Sequence, residues 1–296
     1  MNYVLRIFIL SNFIKYKIKL QMKNIIKNSL GKILITIQPK KASELLTKGM
    51  TIDMDLSRTD RLMRFYLLEK AKKNNDFETL SQFHQNYWEN RGEEYFSSGF
   101  NGNVLNNFFI PKCSFLFDLL QEQLYNEIGK YNILVEIGTG DGKVLEYLSE
   151  RFPKIERFIG IDLSTSQIEA NKKVFNKNTN LEFVAADGFE WLKNNGENHM
   201  IIVTSRGVLE YFTQSRLQSF FDQLNKIGKI LFIAIEPTGI DHDFNKNPNS
   251  EIYGNENSFS HNYAELFKNS GFNIWHQSKI LYSQPECFIN FIGAKN

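Results

Sequence analysis

Residues 133–142 read Ile-Leu-Val-Glu-Ile-Gly-Thr-Gly-Asp-Gly and constrain the fold more than any other stretch. An apolar run that reads as a strand carries Glu136 near its end. Glycine then recurs at 138, 140 and 142, and a helical pattern follows from Lys143 to Glu150. A strand, a glycine turn and a helix in that order make a binding corner of nucleotide size. Glycine has no Cβ, so the backbone turns tightly and a ligand can approach it closely. The free N–H groups of the following helix point toward that ligand. A dinucleotide fingerprint needs G-x-G-x-x-G. Here Lys143 stands where the third glycine would be, and Gly142 precedes it.

From Tyr131 onward short apolar runs alternate with helical stretches. Ile133–Ile137, Arg157–Ile161, Leu181–Val184, Met200–Thr204 and Ile230–Ile235 read as buried strands. Helices are expected near 143–151, 165–176, 188–194 and 209–226. This alternation predicts a parallel sheet covered by helices. The end of the chain differs: Tyr263–Asn269 reads as a helix, and Asn273–Ile280 and Glu286–Ile292 read as strands joined through Ser283–Pro285. Upstream, helices are expected over about 56–73, 77–95 and 104–128, with Pro111 breaking or starting part of the last. The predicted organisation is a basic, weakly ordered extension over 1–50, a helical cap over 51–130 and a ligand-binding domain over 131–296.

The acidic residue before a G-x-G-x-G turn resembles the first motif of the class I S-adenosylmethionine-dependent methyltransferases. The resemblance covers about Tyr131 to Asn296. It implies a Rossmann-like, seven-stranded, mostly parallel sheet with a closing antiparallel strand, helices on both faces, and S-adenosylmethionine as cofactor. Ligands of open α/β sheets sit beyond the carboxyl ends of the strands, and the informative polar residues fall there.

Glu136, with Gly138, Thr139, Gly140, Asp141 and Gly142, would hold the methionine part of the cofactor; the alternative is a carboxylate that only caps the turn. Asp162, followed by Leu163, ends the second strand, where a carboxylate can accept bonds from a ribose diol. Its other reading is a cap for the helix near Ser164. Asp187, followed by Gly188, would accept from the adenine amino group, with Ala185, Ala186 and Phe189 as an apolar wall; again the alternative is a helix cap. Ser205 and Arg206 follow the fourth strand, where the family places the methionine end of the cofactor. The run Gly207-Val208-Leu209-Glu210-Tyr211 fits the pattern many members show at this turn.

Transfer of a methyl group from a sulfonium is an in-line displacement, so positioning dominates. A hydroxyl acceptor also calls for a base. His242, flanked by Asp241 and Asp243 beyond the fifth strand, and Glu210 are the candidates. His84 reads as structural. Tyr87, Trp88, Arg91 and Tyr95 form an aromatic cluster suited to a lid over substrate and cofactor, or simply to helix packing. The expected reaction is methylation of a small or medium-sized acceptor, with O-transfer preferred. The alternatives are a protein or RNA methyltransferase docked by its basic N-terminus, and a non-catalytic protein that binds adenosine compounds.

Several specialised classes lack their signatures. The fourth strand has no aspartate paired with a later Asp-Asn, which argues against a catechol-type magnesium site. No Asn/Asp-Pro-Pro-Tyr/Phe sequence and no Pro-Cys nucleophile follow, and no zinc spacing exists. No metal is therefore expected. Cys113 and Cys287 are too few for a disulfide framework, and a reducing, cytoplasmic setting is the default.

Charge is unevenly distributed. Residues 1–48 carry ten basic side chains against Glu44, a net +9, which leaves −7 for the rest of a chain whose total is +2. That total is small for a nucleic-acid footprint. A basic segment before an acidic body suits weak contact with an anionic membrane surface or polyanion; a solvated, poorly ordered leader, or a start at Met22, is the preferred reading. Residues 4–14 are apolar, but Arg6 interrupts them, and the run is too short to span a bilayer.

Overall fold

The computed structural model describes residues 3–52, 56–99, 102–127, 130–283 and 286–296. The C-terminal part is built on strands β1 (Ile133–Ile137), β2 (Arg157–Asp162), β3 (Leu181–Ala185), β4 (Met200–Ser205) and β5 (Ile230–Gly239). It is completed by β8 (Asn273–Ser283) and β9 (Glu286–Lys295), and a short hairpin, β6 (Glu251–Tyr253) with β7 (Ser258–Ser260), stands apart. The main sheet has the order β3-β2-β1-β4-β5-β9-β8. Strands β1 to β5 pair in parallel, and β9 runs antiparallel to both β5 and β8. This is the mostly parallel seven-stranded sheet with one antiparallel closing strand that was expected. Gln284 and Pro285, expected to join the last two strands, lie outside the described residues.

Alternation along the central strands divides the core. Leu134, Phe158, Val203 and Ile233 face α5 (Ile110–Leu124), α6 (Lys143–Arg151) and α7 (Thr165–Val174). Val135, Ile159, Ile202 and Phe232 face α8 (Gly188–Asn195), α9 (Gln214–Ile227) and α10 (Tyr263–Asn269). Residues of period two thus bury both faces, as a sheet covered by helices requires.

The expected single helix over 209–226 is two pieces, a 3-10 turn at Leu209–Tyr211 and then α9. Thr213 adopts an extended conformation between them, and the Glu236 carboxylate on β5 accepts the N–H groups of Val208 and Leu209 at 3.0 and 3.1 Å. Around Pro111, which has no N–H to give to the carbonyl of Asn107, a π-helical turn at Leu105–Phe109 leads into α5.

Upstream lie α1 (Tyr3–Ile37), α2 (Pro39–Lys48), α3 (Arg58–Lys73) and α4 (Phe77–Ser97). Helices α1 and α2 lie within the extension expected over 1–50. At Gly31 α1 crosses α3 so closely that a Cβ would clash with the backbone of Leu62. Helix α2 is fastened to α4 by Asn86, which donates to the Leu46 carbonyl at 2.8 Å. Ala42, Leu45, Met63, Leu68, Leu80 and Phe83 then form a separate small core.

Candidate active site

Helix α4 lies across the carboxyl ends of the strands. Ser81 donates to the carbonyl of Tyr211 after β4 at 2.7 Å. Gly92 passes close to Ser164 after β2, and Phe96 rests on Gly140 after β1, where a Cβ would run into its ring. The crevice over the glycine turn is thus roofed by one helix, and Val208 sits against Gly138, where a Cβ would come within 2.5 Å of its Cγ2.

Gly138, Gly140 and Gly142 all have positive φ, at 70°, 52° and 75°. Three left-handed residues in five explain the glycine spacing, since side chains strain this conformation. The turn is fixed to β2, because the N–H groups of Gly138 and Thr139 both donate to the Ile161 carbonyl, at 2.8 and 3.0 Å. Asn171 on α7 donates to the Gly140 carbonyl at 2.7 Å. Asp141, at the outer side of the turn, pairs with Lys143 at 2.7 Å.

Glu136 is fully buried. Its two oxygens accept from the hydroxyls of Thr139, at 2.8 Å, and Ser205, at 2.5 Å. Burial pushes its carboxyl up to about 8, with the two hydroxyls opposing. It neither caps the turn through backbone N–H groups nor opens to a ligand; it ties the turn to the end of β4. Gly160 on β2, level with Glu136, leaves the room that Thr139 occupies.

Asp162 behaves differently. One oxygen accepts from the Gly140 N–H and the other from the Ser164 N–H, both at 3.0 Å. The residue is half-buried at the crevice, as is Leu163, whose N–H also favours the ionised carboxylate. Burial raises its pKa against these backbone bonds. The cap of α7 is Ser164, which accepts from Gln167 at 3.3 Å, so capping does not use up Asp162.

Asp187 does cap its helix, accepting from Phe189 at 2.9 Å and Glu190 at 3.2 Å, while its second oxygen pairs with Arg216. Phe189 is buried and stacked on Phe220, with centroids 3.8 Å apart. It belongs to the core rather than to an exposed adenine wall, and Gly188 is packed on Ile137. Sequence alone could not separate these two acids, because both stand at a strand end before a helix.

The turn after β4 sends its first two side chains in opposite directions. Ser205 reaches β1 through Glu136, whereas Arg206 lies over the rings of Phe108 and Tyr282, with centroids 5.2 and 5.9 Å away. Glu210 is buried and accepts from the Tyr253 hydroxyl. Burial first, and then the nearby Glu256, hold its carboxyl well above the ordinary range.

His242 does not stand free as a base. Its Nε2–H donates to the carbonyl of Asn247 at 3.0 Å, which leaves Nδ1 to accept from Ser260 at 2.9 Å. Both nitrogens hold the 239–260 connection in shape. His84 is buried between Thr51 and Asn257, with burial lowering its pKa to about 4, which fits the structural reading.

The aromatic cluster forms. Trp88 stands edge-on to Tyr87 and Tyr95, each at 5.2 Å, and Arg91 covers Tyr87 at 5.4 Å. Phe96 and Tyr211 join it, 6.4 and 5.8 Å from Trp88. Sequence reading missed Phe96 as part of this roof, although it follows Tyr95 directly. The Trp88 Nε1–H is buried and has no acceptor among the described residues. No group of three His, Cys, Asp or Glu side chains among the described residues could hold a metal.

The fold and this corner define a class I methyltransferase domain. Residues 134–229 match the Methyltransf_25 family, described as a methyltransferase domain. The match supports the expected S-adenosylmethionine-dependent methyltransferase over this part of the chain. Similar solved structures include magnesium protoporphyrin IX methyltransferase from Synechocystis PCC 6803 with bound SAH, at 11% identity over 73% of this chain and 99% of that one, TM-score 0.49. The N-methyltransferase NodS from Bradyrhizobium japonicum WM9 in complex with SAH is similar at 15% identity, over 65% and 90%, TM-score 0.44. An S-adenosylmethionine-dependent methyltransferase from Clostridium acetobutylicum is similar at 12% identity, over 68% and 98%, TM-score 0.48. No curated protein matches the chain by sequence.

Proposed function

We propose that the enzyme methylates a hydroxyl oxygen on a small or medium-sized acceptor held between α4 and the turns after β4 and β5. The observation that carries this reading is the buried Glu210 carboxyl, four residues beyond Arg206, which accepts from the Tyr253 hydroxyl. A carboxyl with a raised pKa is a stronger proton acceptor when ionised, as a base for a hydroxyl must be. The bound cofactor supplies an electrophilic methyl group on a positive sulfur. Glu210 would accept the acceptor's hydroxyl proton as its oxygen takes the methyl group. Asp162, half-buried at the crevice, would receive the ribose hydroxyls. The turn from Gly138 to Gly142, with Val208 and Phe96 packed on its first two glycines, would hold the methionine part of the cofactor through its backbone, and Glu136 with Ser205 sets its position. Asp187 and Gly188 shape the adenine end as framework. Tyr87, Trp88, Arg91 and Tyr95 roof the acceptor and exclude water.

The test is turnover by the full chain with hydroxyl and amine acceptor panels, read as S-adenosylhomocysteine formed. Hydroxyl acceptors should turn over, and Glu210→Gln should lose that activity by about a hundredfold or more while binding S-adenosylhomocysteine unchanged. Turnover on amines alone, or an active Glu210→Gln enzyme, overturns the assignment.

A partner surface is also supported. On α1, Met22, Ile25, Ile26, Leu30, Ile33 and Ile37 recur at three- and four-residue intervals and are 45–64% exposed. They lie away from Gly31, which faces α3, and Lys19, Lys23 and Lys32 are exposed beside them. This pattern fits a helix lying on an anionic membrane surface, where each lysine contributes about 1 kcal/mol. No helix among the described residues is long and apolar enough to cross a membrane. Sedimentation with vesicles of phosphatidylcholine alone, or mixed with phosphatidylglycerol, tests it. Binding only to the anionic vesicles is expected; a concentration-dependent dimer that ignores both would assign the stripe to a second copy instead.

A further inference from the structure

The least compensated charge near the site is Arg206. Its guanidinium is half-buried over Phe108 and Tyr282, which themselves meet edge-on at 5.2 Å. Among the described residues it has no carboxylate partner, and its guanidinium donates no hydrogen bond. The carboxylate of Glu256 acts on the Tyr95 phenol against Arg206, and the remaining neighbours supply no anion. Burial pushes the Cys113 thiol up to about 12 and the Cys287 thiol up to about 11, and raises the Tyr95 phenol, all with Arg206 opposing. Glu210 is turned to Tyr253, and Glu236 to the N–H groups of Val208 and Leu209.

The backbone is also unusual here. Arg206 has φ 70° and Gly207 φ 82°, two consecutive left-handed residues, with the Arg206 N–H fixed to the Ile235 carbonyl at 2.7 Å. An arginine is strained where glycine or asparagine would sit freely, and such strain clusters at functional positions. A partly desolvated charge without a partner is costly, so a chain that keeps one in a strained conformation points to a ligand of opposite charge.

Direction tells which ligand. Ser205 faces β1 and the glycine turn, the cofactor half of the sheet. Arg206 faces Tyr282 on β8 and Phe108, the half beyond β5. Resting on the hydroxyl-methylating reading above, we propose that the acceptor is a hydroxylated carboxylate with a flat or apolar body. Its carboxylate lies on Arg206, its body lies among Phe108, Tyr282 and Tyr95, and its hydroxyl reaches Glu210. The sequence reading had given Arg206 to the cofactor; the same carboxylate chemistry could come from the methionine end of S-adenosylmethionine, and the experiment separates the two sources.

The full chain is first titrated calorimetrically with S-adenosylhomocysteine. The saturated protein is then titrated with 4-hydroxybenzoate and 4-hydroxycinnamate, and with their neutral amides. The carboxylates should bind at least about tenfold tighter than the amides, as expected for a charge-assisted pair. In Arg206→Gln that preference should vanish, with S-adenosylhomocysteine affinity unchanged. Arg206→Gly, which suits the left-handed backbone, should behave alike and melt no lower than wild type. Equal binding of carboxylate and amide to wild type, no binding of either carboxylate, or a preference that survives in both variants overturns the proposal. Loss of S-adenosylhomocysteine affinity in both variants also overturns it, because the anion is then the cofactor's own. A wild-type chain that does not bind S-adenosylhomocysteine would instead undermine the reading on which the proposal rests.

Discussion

Replacing Glu136 by glutamine should flatten the dependence of stability on pH. The carboxyl is fully buried, and its pKa is raised from an ordinary 4.5 to about 8, first by burial. A folded-state pKa above the unfolded one means that the native state holds the proton more tightly. Stability is then fully present below pH 4.5 and is lost as pH rises toward 8. Each pH unit over which only the native state keeps this proton lowers stability by roughly 1 kcal/mol. Buried Glu236, raised to about 7, adds a slope of the same sign. His84 and His261, lowered by burial to about 4 and about 3, act oppositely, but only below pH 6.5. Net stability of the wild-type chain should therefore fall between pH 6.5 and 8. Glutamine keeps the shape and can still accept from one hydroxyl and donate to the other, at Thr139 and Ser205. Urea unfolding of both proteins at pH 5, 6, 7 and 8 gives the comparison. The variant should gain on wild type by roughly 1 kcal/mol per pH unit up to about 7, and less as the native carboxyl itself ionises near 8. Parallel curves would refute the argument, since they would mean that Glu136 is ionised in the native state at all these values.

Gly140→Ala puts a Cβ at φ 52° and into the Phe96 ring, and should cost about 1–3 kcal/mol in a thermal melt, with at least about tenfold weaker S-adenosylhomocysteine binding by calorimetry. Asp162→Ala removes the acceptor for the N–H groups of Gly140 and Ser164 as well as the proposed ribose contact. It should abolish cofactor affinity at a stability cost of about 1–3 kcal/mol, and unchanged affinity would sink the ribose assignment. His242→Ala frees Ser260 and the Asn247 carbonyl and should lower stability by about 1–2 kcal/mol while turnover stays near wild type. A loss of about a hundredfold in turnover at unchanged stability would instead return His242 to the role of base.

Much of the sheet was legible because its signals are local. Each buried strand is a short apolar run bounded by polar residues, and the glycine turn carries its conformation in its composition: three residues need positive φ, and three are glycine. The helix at 209–226 misled because Leu209–Tyr211 and α9 share one apolar periodicity. What separates them is Glu236, far along the chain, taking the Val208 and Leu209 N–H groups. The hairpin of β6 and β7 escaped notice because three-residue strands carry too little pattern.

The site divides in the same way. Sequence by itself determined the strand order of chemistry: an acid before the glycines, an acid after β2, an acid after β3 and a polar pair after β4. It could do so because a carboxyl end of a strand is fixed by local periodicity. Only the tertiary structure decided what each of these groups does. Asp162 stands half-buried at the crevice, whereas Asp187, in the same local setting, is used up by α8 and by Arg216, which arrives from α9. His242 looked like a base beside two aspartates until the fold brought Ser260 and Asn247 to its two nitrogens. Phe96 became part of the roof only because α4 crosses the sheet, which no local pattern in residues 77–97 specifies. Hydrogen-bond partners and burial come from residues distant in sequence, and it is these that set the charge, the availability and the direction of a side chain.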